Sequence, residues 1–306
     1  MAVYADYRNL PDVAKGHAIA LGNFDGLHPG HMAVIDAARQ AGGPLGVATF
    51  EPPPRAYFRP NDPPFRLMSP ERRNRKILDV AGAEAVFELP FNADMAKMTD
   101  EDFAREVLHQ GLGASHVAVG FDFRFGRGRM GDAARLASLG RALGFGVTVV
   151  DPVRSNGEKA SSTAIRQALQ AGEPARAAKL LGHPWIAEGI VEHGDARGRT
   201  IDFPTANVHL HDLIQPRHGV YAVRARLAGE TEWRPGVANF GRTPTTGLRD
   251  PLLETFLFDF DGDLYGQWME VALIAFLRPE LRFDSLEMMV EQMHKDCVAA
   301  KDALTA

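Results

Sequence analysis

Short apolar runs and helical spacings alternate through the first part of the chain. His17–Phe24 reads as a strand, and His31–Ala41 as a helix with Val34, Ile35 and Ala38 on one face. Pro44–Phe50 is a second strand. Ser69 and Pro70 place an N-cap and a first-turn proline ahead of a helix running to about Val80. Glu84–Leu89 is a third strand, and Thr99-Asp100-Glu101-Asp102 opens a helix carrying Phe103, Val107 and Leu108. His116–Gly120 and Gly146–Val150 are the fourth and fifth strands, with a helix over Asp132–Leu143 between them and another over Ser162–Ala171 after them. Strands interleaved with helices in this way predict a doubly wound parallel sheet.

From about Ile186 the pattern changes to strands without intervening helices. Val220–Leu227 alternates, with Tyr221, Val223, Ala225 and Leu227 on one face. Leu252–Phe260 and Tyr265–Phe276 are strands, and Asp261-Gly262-Asp263 between them is a hairpin signal. A helix over Ser285–Ala303 closes the chain, with Leu286, Met289, Val290, Met293 and Cys297 at helical spacing, and Asp284 as N-cap with Glu287 resembling a capping box. The fold class expected is α/β + β: a doubly wound parallel sheet, then a small antiparallel β-barrel with a C-terminal helix. The break falls near His183-Pro184, dividing the chain into residues 1–183 and 184–306.

Composition narrows the partners. At 45% hydrophobic and 24% charged, the chain has ordinary globular proportions. No apolar run is long enough for a transmembrane helix, and the N-terminus does not read as a secretion signal. A lone cysteine, Cys297, fits a reducing cytosol, so the expected location is cytoplasmic. A net charge of −5 leaves no footprint for bulk nucleic-acid binding. Small-molecule substrates, no nucleic acid, no membrane and a monomer or weak homo-oligomer are expected. Arg72, Arg73, Arg75 and Lys76 read as a solvated helix face; Arg124, Arg127 and Arg129 form a second basic cluster.

Four unusual segments fall at or near carboxyl ends of the predicted parallel strands, where open sheets bind ligands. They are GNFDGLHPGH (22–31), EPPPR (51–55), GFDFRFGRGRMG (120–131) and SSTAIR (161–166), and they are expected to converge on one cleft. In the first, Gly22 and Gly26 allow a tight turn and close approach of backbone to a ligand, around Phe24 and Asp25. Gly30 keeps the space between His28 and His31 open. His31 stands in the first turn of a helix, where backbone N–H groups favour phosphate, and both histidines are placed to donate to triphosphate oxygens. The alternative is two histidines that only cap. In SSTAIR, Ser161, Ser162 or Thr163 caps a helix, and Arg166 on the next turn is suited to a leaving pyrophosphate.

The second half carries GIVEHGDARGRTIDFPTAN (189–207). Gly194, Gly198 and the polar residues between them suit a phosphate loop. Thr205 and Asn207 lie on one side of an extended segment and offer hard oxygens for Mg²⁺ with ATP. Glu254 shares its strand face with Phe256, Phe258 and Phe260. A carboxylate on an apolar face is a candidate general base with a raised pKa, or else an edge glutamate reaching solvent.

HPGH, GFDFRFGRGRMGD and SSTAIR together resemble the adenylyltransferase module of bacterial bifunctional riboflavin kinase/FAD synthetases, a Rossmann-like nucleotidyltransferase domain. GIVEHGDARGRTIDFPTAN, GVANFGRTPTT, LLETFLFDFDGDLYGQ and the helix beginning FDSLE resemble the riboflavin kinase module of the same family. The resemblance covers nearly the whole chain. It implies phosphorylation of riboflavin to FMN by the C-terminal module and adenylylation of FMN to FAD, with release of pyrophosphate, by the N-terminal one. It implies that His28, His31, Ser162, Thr163 and Arg166 handle ATP phosphates, and that Asp122, Phe123 and Phe125 contact nucleotide and flavin, although Phe123 and Phe125 also read as core aromatics. It places Arg199 in the ATP loop, Thr205 and Asn207 on Mg-ATP, and Glu254 on the ribityl hydroxyl. Two departures stand out: Pro53 where a histidine is usual, and Asp202 where a glycine usually precedes FPTAN. Pro53 leaves open a riboflavin kinase with an impaired adenylyltransferase module. A non-enzymatic flavin-binding regulator is the reading from another class.

Overall fold

The computed structural model describes residues 2–155, 157–192, 203–241 and 251–305. Contacts divide the chain into two compact units, Met1–Pro63 with Ser69–Ser161, and Pro64–Met68 with Ser162–Ala306.

The first unit contains β1 (Ala2–Tyr4), β2 (Ala18–Leu21), α1 (Pro29–Gln40), β3 (Leu45–Glu51), α2 (Pro54–Phe58), α3 (Pro70–Asp79) and β4 (Ala85–Pro90). It continues through α4 (Ala93–Lys97), α5 (Asp100–Asp102, widening into π-helical turns over Phe103–Gly111), β5 (His116–Gly120), β6 (Arg124–Phe125), β7 (Gly131–Asp132) and α6 (Ala133–Leu143). It ends with β8 (Gly146–Val150) and the short β9 (Arg154–Ser155) and β10 (Glu158–Lys159). Six strands form one sheet in the order β1-β4-β3-β2-β5-β8, parallel throughout. The helix starts follow local chemistry: Ser69 Oγ accepts from the Arg72 N–H, Asp132 from Arg135, and Thr99 with Asp102 forms a reciprocal capping box. The core joins Ile19, Leu21, Phe87, Leu89, Val117 and Val119 of the sheet to Phe103, Val107, Leu108 and Leu136 of the helices.

One surface expectation is corrected here. Arg72 and Arg73 are 5% and 3% exposed rather than solvated. Arg73 bridges Glu51 at 3.3 Å and Glu88 at 2.8 Å, and Asn74 also donates to Glu88. Arg73 can be buried because carboxylates from two separate strands, Glu51 and Glu88, pair with it.

The second unit adds α7 (Ser162–Ala171), α8 (Pro174–Leu181), β11 (Trp185–Glu192), β12 (Ala206–His209), β13 (Gly219–Leu227), β14 (Arg234–Gly241), β15 (Leu252–Leu257), β16 (Trp268–Arg278) and α9 (Leu286–Thr305). The six strands close into an antiparallel barrel in the order β11-β12-β15-β14-β13-β16. Its interior holds Trp185, Val191, Val208, Tyr221, Val223, Phe240, Leu253, Met269 and Leu273. Tyr221, Val223 and Ala225 are fully buried on the inner face, as their alternation predicts.

Two element expectations are overturned. The chain between β15 and β16 is not a hairpin: β15 pairs with β12 and β14, and β16 with β11 and β13. An Asp-Gly pair marks a turn, but closing the barrel puts each strand beside partners distant in sequence. The cap of α9 is Ser285, whose Oγ accepts from the Met288 N–H at 3.3 Å, in place of Asp284. The apolar stripe of α9 is also buried only in part. Cys297, Ala300, Ala303 and Leu304 pack on the outer face of the barrel with Val220, Val237, Phe256 and Phe258, whereas Leu286 at the helix start is exposed. Arg278 of β16 fastens the helix, donating to both carboxylate oxygens of Asp296 at 2.8 and 2.6 Å.

Candidate active sites

In the first unit the strand order reverses between β2 and β5. The segments GNFDGLHPGH and GFDFRFGRGRMG leave the carboxyl ends of those two strands, so they flank the switch point where open parallel sheets take ligands. The turn after β2 is conformationally demanding. Gly26 has φ +94°, and Phe24 and Leu27 have φ +51° and +46° although both are buried. Left-handed backbone in a bulky residue costs about 1–2 kcal/mol, and such strain gathers at functional turns. Gly22 does not use a positive φ; a Cβ there would stand 3.4 Å from the Phe24 ring. Asp25 lies half-buried in the same turn.

His28 caps α1. Its Nδ1 and carbonyl oxygen both accept from the His31 N–H, at 3.3 and 2.8 Å. An N–H aimed at Nδ1 needs that lone pair, so in the neutral ring the proton sits on Nε2. The two imidazoles stack at 3.7 Å with 18° between planes, and the Phe24 ring braces His31 at 5.3 Å. A Cβ on Gly30 would stand 3.0–3.1 Å from the His28 ring and 3.4 Å from the Ala160 carbonyl. Pro29 occupies the first helical position, where its missing N–H is of no consequence. The pair of rings thus sits at the positive end of a helix, beside its first-turn N–H groups.

The segment after β5 divides in role. Asp122 is exposed and pairs with Lys159 at 2.9 Å, and the same ammonium lies 4.5 Å above the exposed ring of Phe121. Phe125 is a core residue, stacked on Phe123 at 5.6 Å and packed against Phe103. It therefore anchors the loop from below, whereas Phe123 is only half-buried.

Beyond β3, Pro53 is buried and opens α2, its carbonyl accepting from Ala56 at 2.9 Å. Tyr57 and Phe58 follow and form an aromatic cluster with Phe91, with ring centroids 5.1–5.7 Å apart. Phe58 is 63% exposed. Sequence reasoning missed this surface because its rings come from two segments, α2 and the chain just after β4, that meet only in the fold. Lys159 was missed as well, since it belongs to a two-residue strand with no motif.

Ser162, Thr163 and Arg166 begin α7 and belong to the second unit. Arg166 Nε donates to the Phe65 carbonyl at 2.7 Å, with its guanidinium 5.4 Å from the Phe65 ring. Gly194, Gly198, Arg199 and Asp202 lie outside the described residues.

The barrel brings the other candidates into one row. Asn207 of β12 is the cross-strand partner of Glu254 on β15, and Glu254 is in turn the partner of Asn239 on β14. Directly opposite residues share a face, so the three side chains stand side by side on the outer surface. Leu253 and Leu257, at the alternate positions, fill the interior. Thr205 precedes β12 by one residue and is half-buried. Asn207 is 6% exposed, and its Oδ1 has no hydrogen-bond partner among the described residues. Phe256, next on the same face as Glu254, lies 5.0 Å from Phe203, whose ring meets His294 of α9 at 5.1 Å. Phe260 departs from this face and packs with the interior cluster. The first turns of α9 line a shallow groove with Leu286, Glu287, Val290, Glu291 and His294.

Comparison with known proteins matches both parts. The FAD synthetase family model covers residues 10–164, and the riboflavin kinase family model covers residues 181–304. The chain is 40% identical over 293 residues to the bifunctional riboflavin kinase/FMN adenylyltransferase of Escherichia coli (strain K12), covering 94% of this chain and 93% of that one. It is 38% identical over 310 residues to the protein of the same name from Haemophilus influenzae, covering 98% of each. A crystal structure described as a macrolide-efflux protein from Streptococcus pneumoniae superposes with a TM-score of 0.84 at 31% identity, over 96% of both chains. Among the described residues no helix is long and apolar enough to cross a membrane. The chain belongs to the family of bifunctional riboflavin kinase/FMN adenylyltransferases.

Proposed function

We propose a division of labour in which the His28–His31 turn serves adenylyl transfer and the Asn207–Glu254 row serves phosphoryl transfer. The chain is a bifunctional enzyme of FAD biosynthesis, with riboflavin, FMN and ATP as substrates. The observation that carries the assignment within the kinase part is the register that sets Glu254 directly against Asn207. Glu254 takes the proton of the ribityl terminal hydroxyl as that oxygen attacks the γ-phosphorus, and ADP leaves. Phe256, Phe203 and the groove at the start of α9 offer apolar surface for the flavin ring.

Thr205 and Asn207 are the residues suited to hold Mg²⁺. The orphaned Oδ1 of Asn207 fits a hard cation, and no group of three or more His, Cys, Asp or Glu side chains is placed for a metal among the described residues. That donor set matches an ion held by few protein oxygens together with phosphate. When bound, such an ion neutralises charge on the transferring phosphoryl group.

In the first unit an FMN phosphate oxygen attacks the α-phosphorus of ATP, and pyrophosphate leaves. His28, His31 and the first turn of α1 stabilise charge on the phosphates. The Tyr57–Phe58–Phe91 surface is suited to stack on a flavin ring. Arg166, Ser162 and Thr163 are assigned to phosphate handling by resemblance alone. We also read the protein as cytoplasmic and as a monomer or weak homo-oligomer; light scattering on the purified chain tests the oligomeric state.

Purified protein given riboflavin, ATP and Mg²⁺, with products separated by chromatography, checks the division. Glu254→Gln lowers FMN formation by about 10²–10⁴-fold and leaves FAD synthesis from supplied FMN intact. His31→Ala does the reverse. Equal loss of both activities in either variant overturns the assignment.

A further inference from the structure

Asn239 lies in the GVANFG stretch of β14 and has no role assigned to it, yet the barrel places it as closely beside Glu254 as Asn207. The row runs Asn207, Glu254, Asn239 and then Val220 of β13, so one amide stands on each side of the carboxylate. Directly opposed Cβ atoms are about 5 Å apart, and diagonal neighbours are still within reach of longer groups. Phe256 is the next outward residue along β15, roughly 7 Å from Glu254, and its own partner on β14 is Val237. Val220 and Val237 are covered by α9, whereas Asn239 is only half-buried. On the stretch of β14 flanking the line from Phe256 to Glu254, Asn239 is therefore the polar side chain between buried apolar ones.

A flavin ring against Phe256 with its terminal hydroxyl at Glu254 must lay its polyol chain along that line. The internal hydroxyls then pass the Asn239 amide, which offers both a donor and an acceptor, the complement of a hydroxyl. We propose that Asn239 is a substrate-positioning and specificity-determining residue of the kinase reaction, hydrogen-bonding internal hydroxyls of the acceptor's polyol chain. This rests on Glu254 being the site of phosphoryl acceptance. Asn207 faces the nucleotide side of the carboxylate and Asn239 the acceptor side.

The test uses the full-length enzyme with riboflavin and with a flavin analogue whose side chain keeps the terminal hydroxyl but lacks the internal ones. Wild type prefers riboflavin. Asn239→Ala raises the KM for riboflavin by about five- to tenfold, as expected for one lost hydrogen bond. It leaves the KM for ATP and FAD synthesis from supplied FMN unchanged, and it narrows the preference over the analogue by the same factor. Asn239→Ser, which keeps a short hydroxyl, falls between the two and carries the same comparison should the alanine variant not fold. An unchanged riboflavin KM, or an undiminished preference over the analogue, overturns the proposal. A rise in both KM values together with a lowered Tm marks a merely structural role and overturns it equally. Glu254→Gln is assayed alongside. If it retains FMN formation, the underlying assignment fails, and that outcome is distinct from normal discrimination by Asn239→Ala.

Discussion

At Gly30 a single hydrogen atom in place of a side chain sets the spacing of the two histidines. A Cβ there would meet His28 Cε1 at 3.0 Å, so Gly30→Ala has to displace the ring or the helix start. Misplacing a catalytic group by about 1 Å can cost 10²-fold in rate. Gly30→Ala is therefore expected to lower FAD synthesis by about 10- to 100-fold with FMN formation unaffected, as separate assays of the two steps would show. His17 illustrates a different effect of a single residue. It is 4% exposed just before β2, and burial pushes its pKa below the ordinary value of 6.5. Burial does the same to His116. The unfolded chain then binds protons that the folded one refuses. Their stabilisation is complete above about pH 6.5 and is lost as pH falls through the lower folded values. Urea unfolding at pH 7.5 and pH 5.5 should show the loss, and the non-titrating His17→Gln should reduce its size. An equal loss in that variant would assign the acid sensitivity elsewhere.

Among the elements, α9 is held by one charged clasp and a half-length apolar seam. Arg278 and Asp296 are largely buried, and Gln292 adds a third donor to the carboxylate at 2.9 Å. Removing one partner of a fully buried pair costs about 3–5 kcal/mol; Arg278 keeps some contact with water, so Asp296→Ala is expected to cost about 2–3 kcal/mol. The barrel strands should remain protected in hydrogen exchange while α9 loses protection. Uniform loss over barrel and helix would mean that the clasp supports the whole unit. The N-caps of the first unit are legible in the sequence because they close within three residues. The cap of α9 falls one residue beyond its expected place, since Asp284 and Ser285 are adjacent residues with equal capping chemistry.

For the whole molecule the division of the chain has consequences for stability. The barrel interior is continuous with Leu67, Ile165, Leu169, Leu180 and Leu181, which precede residue 184. Each such side chain contributes about 1.5–3 kcal/mol when fully buried. The Trp185 indole N–H also donates to the Leu67 carbonyl at 2.8 Å. A fragment of residues 184–306 is therefore expected to be poorly folded. Residues 162–306 should recover most of the structure but remain about 2.5–6 kcal/mol short, for want of the buried Leu67 side chain (about 1.5–3 kcal/mol) and of the acceptor for the buried Trp185 donor (about 1–3 kcal/mol). Thermal unfolding of the two fragments decides this, and a 184–306 fragment as stable as the longer one would show that the helices contribute nothing.

Periodicity, caps, glycines and motif residues are local properties, readable along the chain alone. The alternation of strands and helices, the change to barrel strands, the helix-start placement of His28 and His31 and the family resemblance are all legible there. Pairing between strands is not local. Nothing within residues 252–267 says that β15 turns away from β16 and lies between β12 and β14. Only that closure aligns Asn207, Glu254 and Asn239. Burial is likewise a property of the assembled unit: Arg73 reads as surface until Glu51 and Glu88 are brought beside it. Side-chain chemistry is written residue by residue, but which neighbours complete it is set by contacts between positions far apart in the chain.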